Sequence, residues 1–312
     1  MMRALTINKL NKTYANGTTA LINVDLEIES GDFFALLGAN GAGKTTIIGI
    51  ITGIVNKTSG EIFVLDYNLD NKDEAKKAKK LIGIVPQELN FNVFEKVQDI
   101  VITQAGYFGI KRNIAMAESE IILKRLGLWE KRNVQSRTLS GGMKRRLMIA
   151  RALIHKPEIL ILDEPTAGVD VELRHNMWDY LREINSTGTT ILLTTHYLEE
   201  AELMCRNAAI IKDGKIVRHD KVSNLLQMLD KTTYIITLDN MVSMNKIKHF
   251  NPVIVDRNNF EVEIDKDNSF NEFINILSKL DIQIINIRPK ENPLEKLFLN
   301  ILNDSGVKKD EL

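Results

Sequence analysis

Cysteine is nearly absent from this 312-residue chain, which contains Cys205 as its one thiol. A single cysteine excludes an intramolecular disulfide and any zinc site built from several thiolates. The absence of disulfides is usual for proteins of a reducing compartment. Uncharged stretches of the ~20 residues that a membrane-crossing helix needs are also lacking. Residues 1–9 do not contain the apolar region of a secretion signal. We therefore expect that the chain neither crosses a membrane nor is exported through such a signal.

An excess of charge of either sign is missing too, since 41 Lys and Arg residues balance 41 Asp and Glu residues. The chain as a whole thus has no field that would attract nucleic acid or anionic lipid, although local basic patches are compatible with this balance. Hydrophobic residues make up 44% of the sequence and charged residues 26%, as in an ordinary globular protein. The length allows one large domain and a smaller one.

One glycine-rich segment, residues 38–45, has the spacing G-x-x-x-x-G-K-[ST]. A short apolar run typical of a buried strand precedes it, and residues 45–51 begin an apolar helix. Glycines let the backbone approach phosphate, while the loop amides and the helix N-terminus supply positive potential. We expect this loop to bind a nucleoside triphosphate, with Lys44 on its β- and γ-phosphates and the Thr45 hydroxyl on Mg²⁺. An accidental glycine turn is the alternative, and the flanking strand and helix weigh against it.

The pattern along the chain predicts two domains. Short alternating segments in residues 4–34 indicate an antiparallel β subdomain, and nearly unbroken apolar runs at 158–163 and 189–195 indicate parallel strands covered on both faces. Helical spacing before the 158–163 strand indicates a helical insertion at about 90–157 between two strands of the core. Residues 1–220 are therefore expected to form an α/β P-loop NTPase core. Alternating strands and helices in residues 221–312 indicate a small α+β accessory domain without a catalytic constellation.

Polar side chains follow three of the predicted core strands. Asp163 and Glu164 end one strand, Gln87 follows another, and His196 ends the third. In open α/β sheets the carboxyl ends of the strands form the ligand-binding edge. Asp163 is suited to hold Mg²⁺ through a water, and Glu164 to polarise the attacking water. His196 could bind the γ-phosphate, and Gln87 could contact metal or water; the alternatives are solvated acids, a structural histidine and a solvated glutamine.

A second candidate for anion binding is Leu139-Ser140-Gly141-Gly142, which leads into an apolar-faced helix over residues 143–154. Lys144, Arg145 and Arg146 lie in its first turn and oppose the helix dipole, so we expect a nearby anion or solvation to offset the cost. A nucleic-acid patch is the alternative for these three residues. Neither interleaved aromatic residues nor a net positive charge supports that alternative.

In this order, the 38–46 loop, Gln87, the 139–142 segment, the 159–164 strand and His196 resemble the nucleotide-binding domain of ATP-binding cassette proteins. The likeness covers about residues 3–220, and the remainder resembles the accessory domain of the bacterial export-type, YadG-like branch. Two departures, Met143 in the signature segment and Gly168-Val169, leave the phosphate-contacting groups in place.

The resemblance implies that two copies of the chain sandwich two ATP molecules head to tail. Ser140, Gly141 and Gly142 would bind the γ-phosphate held by the other copy, and Asp170 would cross the interface. Tyr14, otherwise an edge-strand tyrosine, would stack on adenine. The implied ATP contacts are Tyr14, Gly38, Asn40, Gly41, Gly43, Lys44, Thr45, Thr46, Ser140, Gly141, Gly142 and Asp170, with Thr45, Gln87 and Asp163 at Mg²⁺ and Glu164, His196 and Gln87 as catalytic residues.

The resemblance also implies the ATPase subunit of an exporter, held at the cytoplasmic face of the membrane by a separate integral-membrane permease. The permease would contact Glu88, Leu89, Phe91 and Phe94, although packing of the two phenylalanines inside the insertion is an equal alternative. A soluble cassette ATPase acting on ribosomes or nucleic acid is the rival hypothesis, but it usually carries two cassettes, a coiled coil or zinc-binding cysteines. A regulator without turnover is a third, opposed by Glu164 and His196. The transported substrate stays open.

Overall fold

The computed structural model describes residues 2–166, 171–239, 247–256, 258–265 and 269–303, with the backbone alone at 171–173 and 303. It divides into two units, Met1–Lys221 and Val222–Leu312. Among the described residues, no helix combines the length and the apolar character needed to cross a bilayer.

The first unit contains an antiparallel sheet of four strands. Its two long strands bury alternate side chains: Ile7 and Leu26 pair across the ladder, and both are fully or almost fully buried. This alternation is the pattern of a sheet with one covered face. In spatial order the strands are β2 (Thr19–Glu29), β1 (Arg3–Thr13), β4 (Ser59–Val64) and β5 (Tyr67–Asn68).

The second sheet of this unit has six strands and forms the α/β core. Every residue of two inner strands, β7 (Ile159–Asp163) and β8 (Thr190–Thr194), is buried, which explains their unbroken apolar sequences. In spatial order the strands are β10 (Lys215–Lys221), β9 (Asn207–Lys212), β3 (Phe33–Gly38), β8 (Thr190–Thr194), β7 (Ile159–Asp163) and β6 (Ile82–Val85). All neighbours are parallel except β10, which runs antiparallel to β9 at the edge. The sequence analysis missed this hairpin, whose outer strand is largely exposed and charged.

Seven helices accompany these sheets in the described residues. Ile47 lies in one apolar cluster with residues of both sheets, so the two sheets share a core. Three helices inserted between β6 and β7 pack on one another and form the predicted helical insertion. The helices are α1 (Lys44–Ile51), α2 (Lys72–Lys80), α3 (Val97–Tyr107), α4 (Arg112–Arg125), α5 (Gly141–Leu153), α6 (Val171–Ser186) and α7 (Leu198–Met204).

The second unit is an antiparallel sheet with helices. Its apolar core includes Phe250, Phe260 and Phe273, and Ser269 caps the following helix by accepting a hydrogen bond from the Glu272 amide at 3.2 Å. The strands, in spatial order, are β12 (Val253–Ile254), β13 (Asn259–Asp265), β11 (Lys231–Leu238) and β14 (Ile284–Pro289), and the helices are α8 (Val222–Leu226), α9 (Phe270–Lys279) and α10 (Pro293–Asn303). The sequence analysis did not identify β12 and α8, which have two and five residues. The predicted fold class is confirmed.

Candidate nucleotide-binding and catalytic site

The glycine-rich loop joins the end of β3 to the start of α1. Gly43 precedes this helix with φ at 117°, and a Cβ there would lie 2.8 Å from Leu21 Cδ2, so glycine is required on both counts. The Lys44 ammonium donates to the carbonyl oxygens of Gly38, at 2.6 Å, and Ala39, at 3.1 Å. The backbone of the glycine-rich loop therefore folds around the Lys44 ammonium and is held by it. Thr45 is exposed beside it.

Asp163 lies at the last position of β7 and is 5% exposed. It accepts a hydrogen bond from the hydroxyl of Thr194, its ladder partner on β8. Burial raises the pKa of the Asp163 carboxyl, the Thr194 bond and the Lys44 and Arg145 cations lower it, and the charge of Glu164 raises it further. Burial conversely lowers the pKa of Lys44, while Glu164 and Asp163 raise it. Two cations and two carboxylates therefore lie close together at this poorly solvated end of the sheet, as expected of a functional site.

Glu164 brings the three predicted catalytic residues together. Its carboxylate oxygen Oε2 accepts a hydrogen bond from Gln87 Nε2 at 3.1 Å and lies 3.4 Å from His196 Nδ1. The Glu164 side chain is 12% exposed, whereas that of His196 is 49% exposed. Glu164 also has a positive φ of 50°, a left-handed conformation that is uncommon for a residue other than glycine and often marks functional sites.

Tyr14 follows β1 and lies beside the first turn of α1. Its hydroxyl is 3.3 Å from the Thr46 hydroxyl, and its ring, 38% exposed, carries the Lys12 ammonium 4.7 Å from the centroid. A partly exposed aromatic residue thus lies next to the glycine-rich loop.

Ser140, Gly141 and Gly142 form the N-terminus of α5. The Ser140 hydroxyl caps the helix by accepting from the Met143 amide at 3.3 Å, and Ser140 and Gly141 are exposed. None of the hydrogen bonds described for Ser140 reaches the Lys44 loop. Asp170, the residue expected to cross a dimer interface, lies outside the described residues.

For Arg145, the expectation of a nearby anion agrees with the Asp163 and Glu164 carboxylates, whose charges act on its guanidinium. This side chain is 7% exposed and donates to the carbonyl oxygens of Pro86, at 2.7 Å, and Gln87, at 2.9 Å. Arg146 donates to the Leu126 carbonyl at 2.6 Å. Backbone carbonyls thus accept hydrogen bonds from both side chains, which the sequence did not indicate.

The sequence analysis also missed Glu200, a 1% exposed carboxylate on α7. It accepts hydrogen bonds from the hydroxyls of Thr166 and Thr195, the second at 2.9 Å. Burial raises its pKa, and the two threonine bonds lower it. Glu200 thus joins the chain beyond Glu164 to the chain before His196. Glu200 stands beside another acidic residue at the start of α7, where carboxylates are usually solvated. Nothing in the sequence therefore indicated that Glu200 is buried.

A glycine-rich loop with a buried lysine after β3, and a carboxylate pair at the end of β7 in the same sheet, define a P-loop ATPase. The family model described as ABC transporter matches residues 21–167. The linearmycin resistance ATP-binding protein LnrL of Bacillus subtilis (strain 168) is 32% identical over 306 residues, which cover 95% of this chain and 97% of the relative. Nod factor export ATP-binding protein I of Cupriavidus pinatubonensis is 37% identical over 223 residues, 71% and 67% of the two chains.

Solved structures agree with this assignment. The dimeric post-hydrolysis state of the ATP-binding cassette MJ0796, bound to ADP and Pi, is 28% identical, with a TM-score of 0.65 over 70% of this chain and 98% of that one. The cbiO1 structure from Clostridium perfringens is 30% identical, with a TM-score of 0.66 over 73% and 92%. The chain belongs to the ABC transporter family and is an ATP-binding and ATP-hydrolysing subunit. The rival assignment to ribosomes or nucleic acid is not favoured.

Proposed function

We propose that this chain powers a membrane exporter by closing as a dimer on ATP and reopening after hydrolysis. The observation that carries the proposal is the contact of the Glu164 carboxylate with both Gln87 and His196, at the sheet edge that also holds Lys44. The names of the Bacillus and Cupriavidus relatives, which refer to resistance and to export, support export as the direction.

Each group at this edge has a proposed task. Lys44 would exchange the loop carbonyls of Gly38 and Ala39 for phosphate oxygens, which are stronger acceptors because they are charged. Glu164 would take the proton of the attacking water, and Gln87 would hold the carboxylate in place. His196, the more exposed neighbour of Glu164, would donate to the γ-phosphate.

Mg²⁺ fits the donor set of this site. The Thr45 hydroxyl, the Asp163 carboxylate and the Gln87 amide offer the oxygen ligands that this ion prefers. Among the described residues, no group of three or more His, Cys, Asp or Glu side chains could hold a metal by itself. This agrees with an ion bound by few protein groups together with substrate phosphates. Bound there, Mg²⁺ would neutralise charge that develops between the β- and γ-phosphates.

The second copy of the chain would complete each site. Ser140 and Gly141 are exposed at a helix N-terminus, an arrangement suited to an anion, and Asp170 would add a contact across the interface. The dimeric cassette MJ0796 supports such a pairing. Tyr14 would stack on the adenine base beside the Lys44 loop, and Thr46 would lie between them.

A separate integral-membrane permease would bind the groove beside Gln87. Leu89 is 45% exposed and Phe94 is 64% exposed, which favours a docking role for Phe94 over packing inside the insertion. Phe91 is half-buried and Glu88 exposed. The permease would hold the chain at the cytoplasmic face of the cell membrane and would select the exported substrate.

The proposal is tested by trapping the closed dimer. In the Glu164→Gln chain, ATP and Mg²⁺ should convert monomer to dimer, as measured by size exclusion with light scattering. The matched control carries Ser140→Arg in addition. It should bind ATP with unchanged affinity and remain monomeric, because the arginine fills the space of the partner's γ-phosphate. A Glu164→Gln chain that stays monomeric at every concentration, alone or with its permease, would overturn the proposal.

A further inference from the structure

Arg145 makes a two-pronged contact that no catalytic role explains. Its guanidinium is almost fully buried and donates through separate nitrogens to two consecutive carbonyls, those of Pro86 and Gln87. The planar fork of arginine suits such paired acceptors, whereas the point charge of lysine contacts one of them well. The contact therefore fixes the orientation of the backbone at Gln87 as well as its position.

This backbone carries the side chain that reaches the catalytic carboxylate. Gln87 Nε2 donates to Glu164 Oε2, so a shift of the Gln87 backbone displaces a direct partner of Glu164. A second arginine of α5, Arg151, donates to Asn90 at both its carbonyl and its side-chain oxygen. Residues 87–90 are exposed, and α5 thus holds this exposed loop at two points.

The same helix begins at the residues proposed to meet the partner's ATP. Ser140 caps α5, and Arg145 lies five residues further on, about 7.5 Å along the axis at 1.5 Å per residue. A short helix moves as a rigid body, so displacement at its N-terminus reaches the Arg145 guanidinium. Burial lowers the pKa of Arg145, and the charges of Asp163 and Glu164 oppose that effect.

We infer that Arg145 is a positioning residue, which transmits closure of Ser140–Gly142 on the partner's ATP to Gln87 and through it to Glu164. The inference rests on the proposed dimeric function and deepens it. It identifies a continuous chain of contacts between the ATP site that a chain completes for its partner and the catalytic carboxylate of its own site. Arg145 itself touches neither nucleotide nor water in this scheme.

A double-mutant cycle between Arg145 and Gln87 tests the inference on the full-length chain. Arg145→Met, which keeps the volume and removes the fork, should lower kcat roughly 10-fold and leave the KM for ATP within about twofold. In the Gln87→Ala background the same change should add less than about twofold, because its route to Glu164 is already broken. Arg145→Lys, which keeps the charge and one contact, should restore part of kcat.

Arg146→Lys and Arg146→Met are the matched controls, since Arg146 is the next residue of α5 and donates to the Leu126 carbonyl instead. Their effects on kcat should be small and should multiply with that of Gln87→Ala. If Arg145→Met does not fold, as judged by its thermal unfolding, the cycle is run with Arg145→Lys. Independent, multiplying effects of the Arg145 and Gln87 changes would overturn the inference.

A further measurement separates this inference from the proposed function. In the Glu164→Gln background, Arg145→Met should still form the ATP-dependent dimer with a dissociation constant within about threefold of its parent, because Arg145 acts after closure. Loss of the dimer only when Arg145 is changed would make Arg145 a determinant of closure and overturn the inference. Absence of the dimer in the Glu164→Gln parent would instead contradict the proposed function, while the kcat cycle would still be interpretable.

Discussion

The two units shift the pKa of a carboxyl group in opposite directions, upward at Asp163 and downward at Glu263. In the first unit, burial raises the pKa of Asp163 at the end of a fully buried parallel strand. In the second unit, a hydrogen bond from Asn251 lowers the pKa of Glu263. Glu263 lies on an antiparallel strand in which the buried residues Phe260 and Val262 alternate with less buried ones. A parallel sheet buried on both faces leaves polar groups only its ends, where they crowd together, whereas an antiparallel sheet spreads them over one face.

The difference shows where chemistry can be located in this chain. Burial makes the charged forms of Lys44 and Asp163 less stable than they would be in water. These groups therefore interact strongly with a charged substrate. Glu261 and Glu263 of the second unit are instead satisfied by Lys290 and Lys231. Exposed pairs of this kind contribute little to stability. Changes in the two units should accordingly affect different measurements.

The largest expected effect comes from Glu164→Gln. Removal of the general base should slow ATP hydrolysis by ~10²–10⁴-fold, while ATP binding is retained. Turnover is followed by phosphate release, and binding by titration with ATP. Glu263→Gln is the matched control. It makes the same chemical change on the sheet of the second unit and should leave turnover unchanged. Equal turnover in the Glu164→Gln and parent chains would remove Glu164 from the role of base.

Phe273→Ala, in the core of the second unit, should affect stability and leave turnover unchanged. Phe273 is 1% exposed and meets Phe250 edge to face with ring centroids 5.1 Å apart. Its loss should lower the free energy of unfolding of that unit by about 3–5 kcal/mol, as measured in denaturant. Turnover below the unfolding transition should be unaffected. Ile285→Ala, at a position 65% exposed, is the control and should change stability little. A parallel fall in turnover would show that the units are not separable in this sense.

The contrast between the sheets also explains what the sequence could predict. Buried parallel strands have unbroken apolar sequences. Gln87, Glu164 and His196 were predicted to lie together because the ends of parallel strands share one edge, and they do lie together. The contacts of Arg145 and Glu200 could not be found in this way. A charged side chain has the same sequence pattern whether solvent or a buried carbonyl receives its hydrogen bonds, so only the tertiary structure identifies its partner.

The smallest expected effect is a pH dependence that belongs to the first unit. The His155 ring stacks on Phe108 with centroids 3.6 Å apart, and Nε2 donates to the Ile82 carbonyl at 3.1 Å. In the described structure the buried Nδ1 has no hydrogen-bond partner, and burial lowers the pKa of His155. The folded state therefore disfavours the protonated ring.

This lowered pKa fixes the sign of the effect. As the pH falls through the ordinary value of 6.5, the unfolded chain takes up the proton before the folded one, so the first unit loses stability. His155→Phe keeps the stack and removes the titration, and its Tm should fall about 2 °C less than that of the parent between roughly pH 7.5 and 5.5. Identical slopes for His155→Phe and the parent would place the acid sensitivity elsewhere, because His155 is the group whose proton uptake this change removes.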